Sequence, residues 1–525
     1  MKDDKKATLG QFYTAGVVAD FMVKMITKGK RARVLEPSSG TGVFIDSLLE
    51  NGFSEIKGYE IDPENHGKAK SAADIRIGDY LKTPRTEKFD VVIGNPPYVH
   101  WNRIDPETRN FLRNDGFWKR YSNGEWDLLY AFIIWSIEKL REGGELIFIV
   151  PYNWFNSTYA KSLRQYLTDN GRFEVIVHFG EFKLFEDCYP NNIIFRYRKT
   201  AKKAEEEALV AEFKGRKGNS KYILNRINAG FREVDEGHKE METGDLRVFT
   251  IPQFRDSAPW YLASPSQMTS NGKTERATGG TVVSDCMDVG VGMVSGYDRA
   301  YMIGETEIKG YSAKEKQLVY PFVKAKDCRR YLVDRLSYYI LPDRIESEAQ
   351  LKGYPRIYER LSSNTEALGK RYLPSGKRWW NWATIRNHDL FKRNLDKPKI
   401  FVPCIDRSPR PRFSYTEKRC FGAGDVLILV GKDGMKEDLR YVLAWLNSET
   451  VNRWYRAKGS HTGHRIRYTQ AHVGRIPLRL IDWDDKHEVS LYTKILDKSK
   501  KILEKKGAEQ AEREIDEIFK EMVAN

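Results

Sequence analysis

The sequence predicts an α/β fold over its first two hundred residues, a mainly parallel sheet wrapped by helices, and a mixed α+β domain after it. Three observations carry this. Between Arg33 and Arg198, short apolar runs ("ARVLEPSSGTG", "EIKGYEID", "FDVVIGNPP", "GGELIFIVP", "FEVIVHFG", "NIIFRYRK") alternate with helix-length segments, as parallel strands joined by crossover helices do. "DLLYAFIIWSIEKL" (127–140) has apolar residues at helical spacing and stops before Gly143 and Gly144, which predicts a buried crossover helix. Beyond the charge-rich tract at 202–221, through about Leu480, aromatics, Arg and Lys mix with Gly and Pro and the periodicity becomes irregular.

The elements follow in order. "LGQFYTAGVVADFMVKMI" (9–26) precedes the first strand, and "VLEPSSGTGVFID" (34–46) is a strand, an acid, a glycine turn and a helix start. "FEVIVHFG" and "NIIFRYRK" lie too close together for a helix between them, so an antiparallel hairpin is expected at one end of the sheet. The charge-rich tract around 202–221 reads as a surface helix or linker. The expected division is an α/β domain over 1–200, a charged linker over 201–250, a second domain over 251–480 and a charged amphipathic helical tail over 481–525, broken at Gly507.

Composition narrows the class. With 525 residues, 40% hydrophobic and 31% charged, the chain is long enough for two or three globular domains. A net charge of +15 points to a polyanionic partner, because surplus Lys and Arg release counterions from a phosphate backbone. Five scattered cysteines with no C-x-x-C pair indicate neither a disulfide framework nor a zinc site and fit a reducing cytoplasm. The charged start "MKDDKKATLGQFYT" is no signal peptide, and no apolar run is long enough to span a membrane, so a cytoplasmic protein is expected.

The glycine turn raises the question of its ligand. A dinucleotide fingerprint wants a third glycine after Gly40 and Gly42, but position 45 is Ile. Glu36 instead ends the strand, where it suits a cation rather than a phosphate. Glu60, about twenty residues on, is placed to accept ribose hydroxyls, and Asp79 in "GDYL" to receive an adenine amino group. Adenine, ribose and a positive centre without phosphate describe S-adenosylmethionine; a generic glycine loop is the alternative.

"GNPPYVHW" (94–101) ends the run "FDVVIG". Two prolines cannot supply ladder hydrogen bonds, so the strand stops there on a stiff backbone. An exocyclic amine is a poor nucleophile because its lone pair is delocalised into the ring. Two acceptors for its hydrogens, the Asn95 side-chain oxygen and the Pro96 carbonyl, favour a more tetrahedral nitrogen aimed at a methyl donor, and Pro97 helps prepay that geometry. Tyr98 offers a flat face for an extruded base. The alternative is an ordinary Asn-Pro turn with a packing tyrosine.

With these motifs in this order, the chain resembles the gamma-class, TaqI-like N6-adenine DNA methyltransferases of restriction-modification systems. The resemblance implies a Rossmann-like S-adenosylmethionine-dependent methyltransferase domain and a C-terminal DNA recognition domain. It places Phe12, Tyr13 and Thr14 over the methionine end of the cofactor, with Ala15 standing where the family usually has proline. Glu36, Pro37, Gly40, Gly42, Glu60, Ile61, Asp79 and Asn95 become cofactor contacts, and Asn95, Pro96, Pro97 and Tyr98 the catalytic strand end. A second aromatic clamping the flipped base falls on Phe185, with Phe182 or Tyr189 in its place if the loop register differs. "VGVGMVSGYDRAYMI", "LVYPFVKAKDCRRY", "KPKIFVPCI", "VLAWLNSET" and "RIPLRL" are similar to ordered landmarks of the TaqI-like recognition domain.

In that region, 370–388 and 458–468 interleave basic residues with aromatics, as loops touching phosphates and base edges do. Lys377, Arg378, Trp379, Arg386, His464, Arg465 and Arg467 are the candidates; the Trp379, Trp380 and Trp382 cluster reads equally well as core. Cys404 is expected to be a buried small hydrophobe rather than a cytosine nucleophile, and His461 and His464 lack further ligands at metal spacing. No metal-dependent nuclease centre is legible, so the chain is expected to modify duplex DNA without cutting it, as an adenine-specific enzyme of class EC 2.1.1.72. The resemblance implies protection against a separately encoded restriction endonuclease, and one recognition domain per catalytic domain points to a monomer. The rivals are an "NPPY" methyltransferase acting on RNA or a protein glutamine, and a DNA-binding protein whose methyltransferase domain is only a scaffold.

Overall fold

The apolar runs pair into one ten-stranded sheet. In the computed structural model the described residues are 14–66, 73–116, 120–121, 127–184, 191–201, 206–235, 238–462 and 465–524. They form two compact units, Met1–Ser266 and Gln267–Asn525. The first holds the sheet: β1 (Val34–Glu36), β2 (Ile56–Glu60), β3 (Asp74–Ile77), β4 (Phe89–Gly94), β5 (Leu140–Pro151), β6 (Gly171–His178), β7 (Asn192–Lys199), β8 (Ala208–Phe213), β9 (Glu240–Thr243) and β10 (Leu246–Ile251). Their order is β3-β2-β1-β4-β5-β7-β6-β8-β10-β9.

Strands β1 to β5 are parallel neighbours, and the order reverses between β1 and β4. Ligands of open α/β sheets bind outside the carboxyl ends at such a reversal. Both faces are covered along β1, β4 and the second half of β5, which is why these strands read as apolar runs, whereas β3 at the edge is largely exposed. One face meets the helix Leu128–Lys139, apolar all round and capped by Asp127, whose carboxylate accepts from the Leu129 N–H at 3.0 Å. The other meets the helices Gly16–Lys24, Val43–Glu50 and Ser220–Asp235.

The hairpin forms, with β6 antiparallel to β7, but it is interior to the sheet. β7 inserts between β5 and β6, and β8 pairs parallel with β6 from Val175↔Leu209 to His178↔Glu212. The tract expected as a charged linker over 201–250 therefore supplies three strands and a core helix. Its charges sit before β8 and on the outer positions of the elements that follow, while Val210, Ala211, Phe213, Val248 and Phe249 are buried. The first unit also extends past residue 250. Trp260 is buried there, stacked on Phe254 at 4.4 Å, and donates its backbone N–H to the Phe155 carbonyl at 2.8 Å.

The second unit carries five-, four- and three-stranded sheets. Its larger core gathers around the helix Leu439–Asn447. The charged tail is two helices, Lys486–Leu503 and Ala508–Ala524, separated at Gly507, where φ is 59°. It packs on its own unit: Ile495, Ile515 and Phe519 are fully buried, and the Phe519 and Trp445 rings lie 5.0 Å apart. Among the described residues no helix is long and apolar enough to cross a membrane.

Candidate functional site

The first four strands end in Glu36, Glu60, the Gly78–Asp79 turn and Asn95, side by side on the carboxyl edge of the sheet. Gly40 and Gly42 take φ of 53° and 86°, a left-handed backbone that glycine adopts without a Cβ penalty. The turn is laced to β2: Ser39 N–H donates to the Tyr59 carbonyl at 2.8 Å and Gly40 N–H to the Glu60 carboxylate at 2.6 Å. The other Glu60 oxygen accepts from the Asp62 N–H at 2.8 Å. Burial raises the Glu60 carboxyl above its ordinary range, and the backbone donors partly offset this.

Glu36 is only 1% exposed, and its Oε2 is buried with no hydrogen-bond partner among the described residues. Burial, reinforced by repulsion from Glu60 and Asp46, pushes its carboxyl well above the usual carboxylate range. A buried acid kept in this state is poised for a cationic ligand, whose arrival would favour ionisation. Asp79 caps the short turn Tyr80–Lys82 by accepting from the Leu81 N–H at 3.0 Å, and burial raises its carboxyl too. Ile61 leaves an apolar side chain 51% exposed directly after Glu60. Pro37 is buried, and a Cβ at position 94 in place of the glycine hydrogen would sit 3.5 Å from the Pro37 ring. Acids at successive strand ends, an orphan carboxylate oxygen and an exposed apolar platform fit S-adenosylmethionine, and among the described residues the strand ends present acids rather than a basic cradle for phosphates.

At β4 the chain turns at Pro96 and Pro97, and Asn95 is held through its backbone carbonyl and both ends of its side-chain amide. Ser38 Oγ donates to its carbonyl at 3.1 Å, its Nδ2 donates to Thr14 Oγ1 at 3.1 Å, and its Oδ1 receives the Tyr98 hydroxyl. That hydroxyl also lies 2.8 Å from the Ile149 carbonyl at the end of β5. Leu128 N–H donates to the Val99 carbonyl at 2.9 Å, and His100 bridges Asp127, tying the segment after Tyr98 to the start of a core helix. Burial pushes the Asp127 carboxyl up to about 6.

Of the candidates in this unit, Thr14, Glu36, Pro37, Gly40, Gly42, Glu60, Ile61, Asp79 and Asn95–Tyr98 thus lie on one edge of the sheet. Phe12, Tyr13, Phe185 and Tyr189 lie outside the described residues; Phe182 is buried against Phe213 with ring centroids 5.4 Å apart. Sequence reading missed Ser38, Ile149 and Asp127. A serine in a glycine turn and a backbone carbonyl carry no pattern, but Asp127 before "LLYAF" was visible as an N-cap.

In the second unit, Trp380 and Trp382 are core, donating their ring N–H groups to the Ile345 and Ile340 carbonyls at 3.2 and 2.9 Å. Trp379 is half-buried at their rim. Lys377 pairs with Asp343 at 2.9 Å, and Arg378 is exposed over the Trp380 ring. Arg386, Arg465 and Arg467 are exposed and without an ion pair among the described residues; His464 lies outside them. Cys404 is half-buried rather than buried, and its thiol is pushed up to about 11 by burial, so it stays protonated and unreactive at neutral pH. Among the described residues no cluster of three or more His, Cys, Asp or Glu could hold a metal ion.

Comparison with known proteins fits this geometry. Residues 42–185 match the model of the Eco57I restriction-modification methylase family, and 326–478 the TaqI-like C-terminal specificity domain. The Type II methyltransferase M.HindII of Haemophilus influenzae is 32% identical over 96% of both chains. The chain belongs to the Type II restriction-modification methyltransferases. A second relative, M.HincII of Haemophilus influenzae, is 31% identical over 96% of each chain. The methyltransferase also shares its fold with the Type IIL restriction-modification enzyme MmeI, solved in complex with DNA, with a TM-score of 0.64 at 13% identity over 99% of this chain and 76% of that one. Matches of this length to Type II methyltransferases disfavour the RNA and glutamine alternatives.

Proposed function

We propose that this methyltransferase modifies N6 of an adenine flipped out of a short duplex DNA site, protecting that site from a cognate endonuclease. The observation that carries the choice of an exocyclic amine is the anchored Asn95 amide beside Pro96 at the end of β4, with Tyr98 next to it. S-adenosylmethionine, the cofactor of Type II methyltransferases, supplies a sulfonium-borne methyl group. Glu60 and Asp79 bind the ribose hydroxyls and the adenine amine of that cofactor, while Glu36 faces its positive end. Asn95 Oδ1 and the Pro96 carbonyl each accept one hydrogen of the target amine, which turns the nitrogen lone pair out of the base plane. Tyr98 stacks on the extruded base. After transfer the amine loses a proton to solvent, so no strong general base is required of the chain.

Site recognition belongs to the unit Gln267–Asn525, which contains the matched specificity region. The exposed Arg386, Arg465 and Arg467 are the better candidates for phosphates and base edges there, since Lys377 already has a carboxylate partner. One catalytic and one recognition unit per chain suit a monomer working in the cytoplasm, with the endonuclease encoded separately. The test is modification-sensitive sequencing of DNA from a methylation-deficient host expressing the protein, beside an Asn95→Ala control. N6-methyladenine at one short motif, absent in the control, is the expected result. Folded, cofactor-binding protein that leaves every adenine unmodified would overturn the adenine reading.

A further inference from the structure

The contacts around Asn95 carry an inference that rests on this reading and goes beyond it. An asparagine serves as an acceptor for the target amine only if its amide plane stays in one orientation, yet an isolated side chain of this kind turns readily about its terminal torsion. Here both ends of the amide are held. Nδ2 donates to Thr14 Oγ1 at 3.1 Å, and Oδ1 receives the Tyr98 hydroxyl. Neither anchor is loose. Thr14 lies just before the helix Gly16–Lys24, whose Val18, Phe21 and Met22 are buried in the core. The Tyr98 hydroxyl sits 2.8 Å from the Ile149 carbonyl, on a strand paired to β7 through Ile149↔Ile194.

We propose that Thr14 and the hydroxyl of Tyr98 are positioning residues for methyl transfer, fixing the Asn95 amide so that its oxygen meets the incoming amine. The two contacts differ in what happens next. The Thr14 contact is on the nitrogen and persists when substrate arrives. The Tyr98 hydroxyl has one proton to share, and Asn95 Oδ1 and the Ile149 carbonyl both lie within its reach. It occupies Oδ1 while the site is empty of substrate; when the target amine takes that oxygen, the proton turns to Ile149 and no buried donor is left unmade. The same bond to Ile149 holds the ring plane, so stacking and amide orientation share one anchor. Thr14 therefore acts on the reaction through Asn95, in addition to any contact with the cofactor.

The experiment is methyl transfer to the cognate DNA under single-turnover conditions, with cofactor affinity measured separately, for wild type, Thr14→Val, Thr14→Ser and Tyr98→Phe. Valine keeps the shape of threonine and removes the acceptor, while serine restores it. The expected result is a rate at saturating cofactor about tenfold lower for Thr14→Val, the scale of one net hydrogen bond that holds the amide in its reactive orientation. Its cofactor affinity should stay within about threefold, and Thr14→Ser should return the rate to within about threefold of wild type. Tyr98→Phe, which keeps the stacking face, should lose about three- to tenfold by the same reasoning, and it decides the matter if Thr14→Val does not fold. Rates unchanged in both variants, or a Thr14→Val defect that saturating cofactor abolishes, would overturn the proposal. Should wild type place the methyl on another exocyclic amine, the adenine reading falls while these rate comparisons keep their meaning.

Discussion

Replacing Glu36 by glutamine tests whether this acid exists for the cofactor or for the fold. Its side chain is 1% exposed, one oxygen lacks a partner among the described residues, and Glu60 and Asp46 repel its charge. The folded protein therefore holds the Glu36 proton more tightly than the unfolded chain does. Glu36 costs nothing below the ordinary carboxylate range and destabilises increasingly as pH rises toward its raised value. Glutamine has the same shape and cannot ionise. Without cofactor, Glu36→Gln should melt with wild type at about pH 4 and above it at about pH 8, by an amount of order 1 kcal/mol for an unpaired buried group, or about 2–4 °C for a unit of this size.

Cofactor binding should move the other way. A charge-assisted contact contributes about 1.5–3 kcal/mol, so the variant should bind S-adenosylmethionine roughly 10- to 150-fold more weakly near neutral pH. Wild-type affinity should rise with pH as Glu36 ionises, and that of the variant should stay flat. Thermal melts and calorimetric titrations across the same pH series read both. A Glu36→Gln protein less stable than wild type at every pH, with unchanged cofactor affinity, would refute the reasoning and make Glu36 a structural residue.

Three further outcomes follow from the packing and the exposed charges. Trp260→Ala should destabilise the first unit by about 3–5 kcal/mol, read from urea unfolding, because Trp260 is buried against Phe254, Phe155 and Phe173. Arg465→Ala and Arg467→Ala should each weaken binding to cognate and non-cognate DNA alike and lower the salt slope by about one if they contact phosphates; a loss confined to cognate DNA would mark a base contact instead. Cys404→Ser should keep methylation within about twofold, and thiol alkylation should spare activity, since a thiol held protonated is a poor nucleophile.

The sequence was most informative where local chemistry and strand order coincide. Glu36, Glu60, Asp79 and Asn95 each end or directly follow a strand, and a parallel sheet brings successive strand ends to one edge, so the candidate site could be assembled from strand order alone. Prolines at 96 and 97 fixed the end of β4 for the same reason: a missing N–H stops a ladder wherever it falls. Long-range pairing could not be read this way. The segment 201–250 looked like a linker because its charges are local, while β6, the partner of its strand β8, lies some thirty residues upstream. Trp260 likewise joins the first unit through rings far away in the chain. The tail's helices were legible from their periodicity, but only packing against Trp445 decided that their apolar faces are covered by their own unit. Above all, the sequence placed Asn95 at the end of β4, while its amide is held by Thr14, 81 residues before it, and by a tyrosine anchored on the next strand, 51 residues further on. Residue types announce what a side chain can do. Which side chains hold it in place depends on contacts between distant segments, and these have no signature in local composition or spacing.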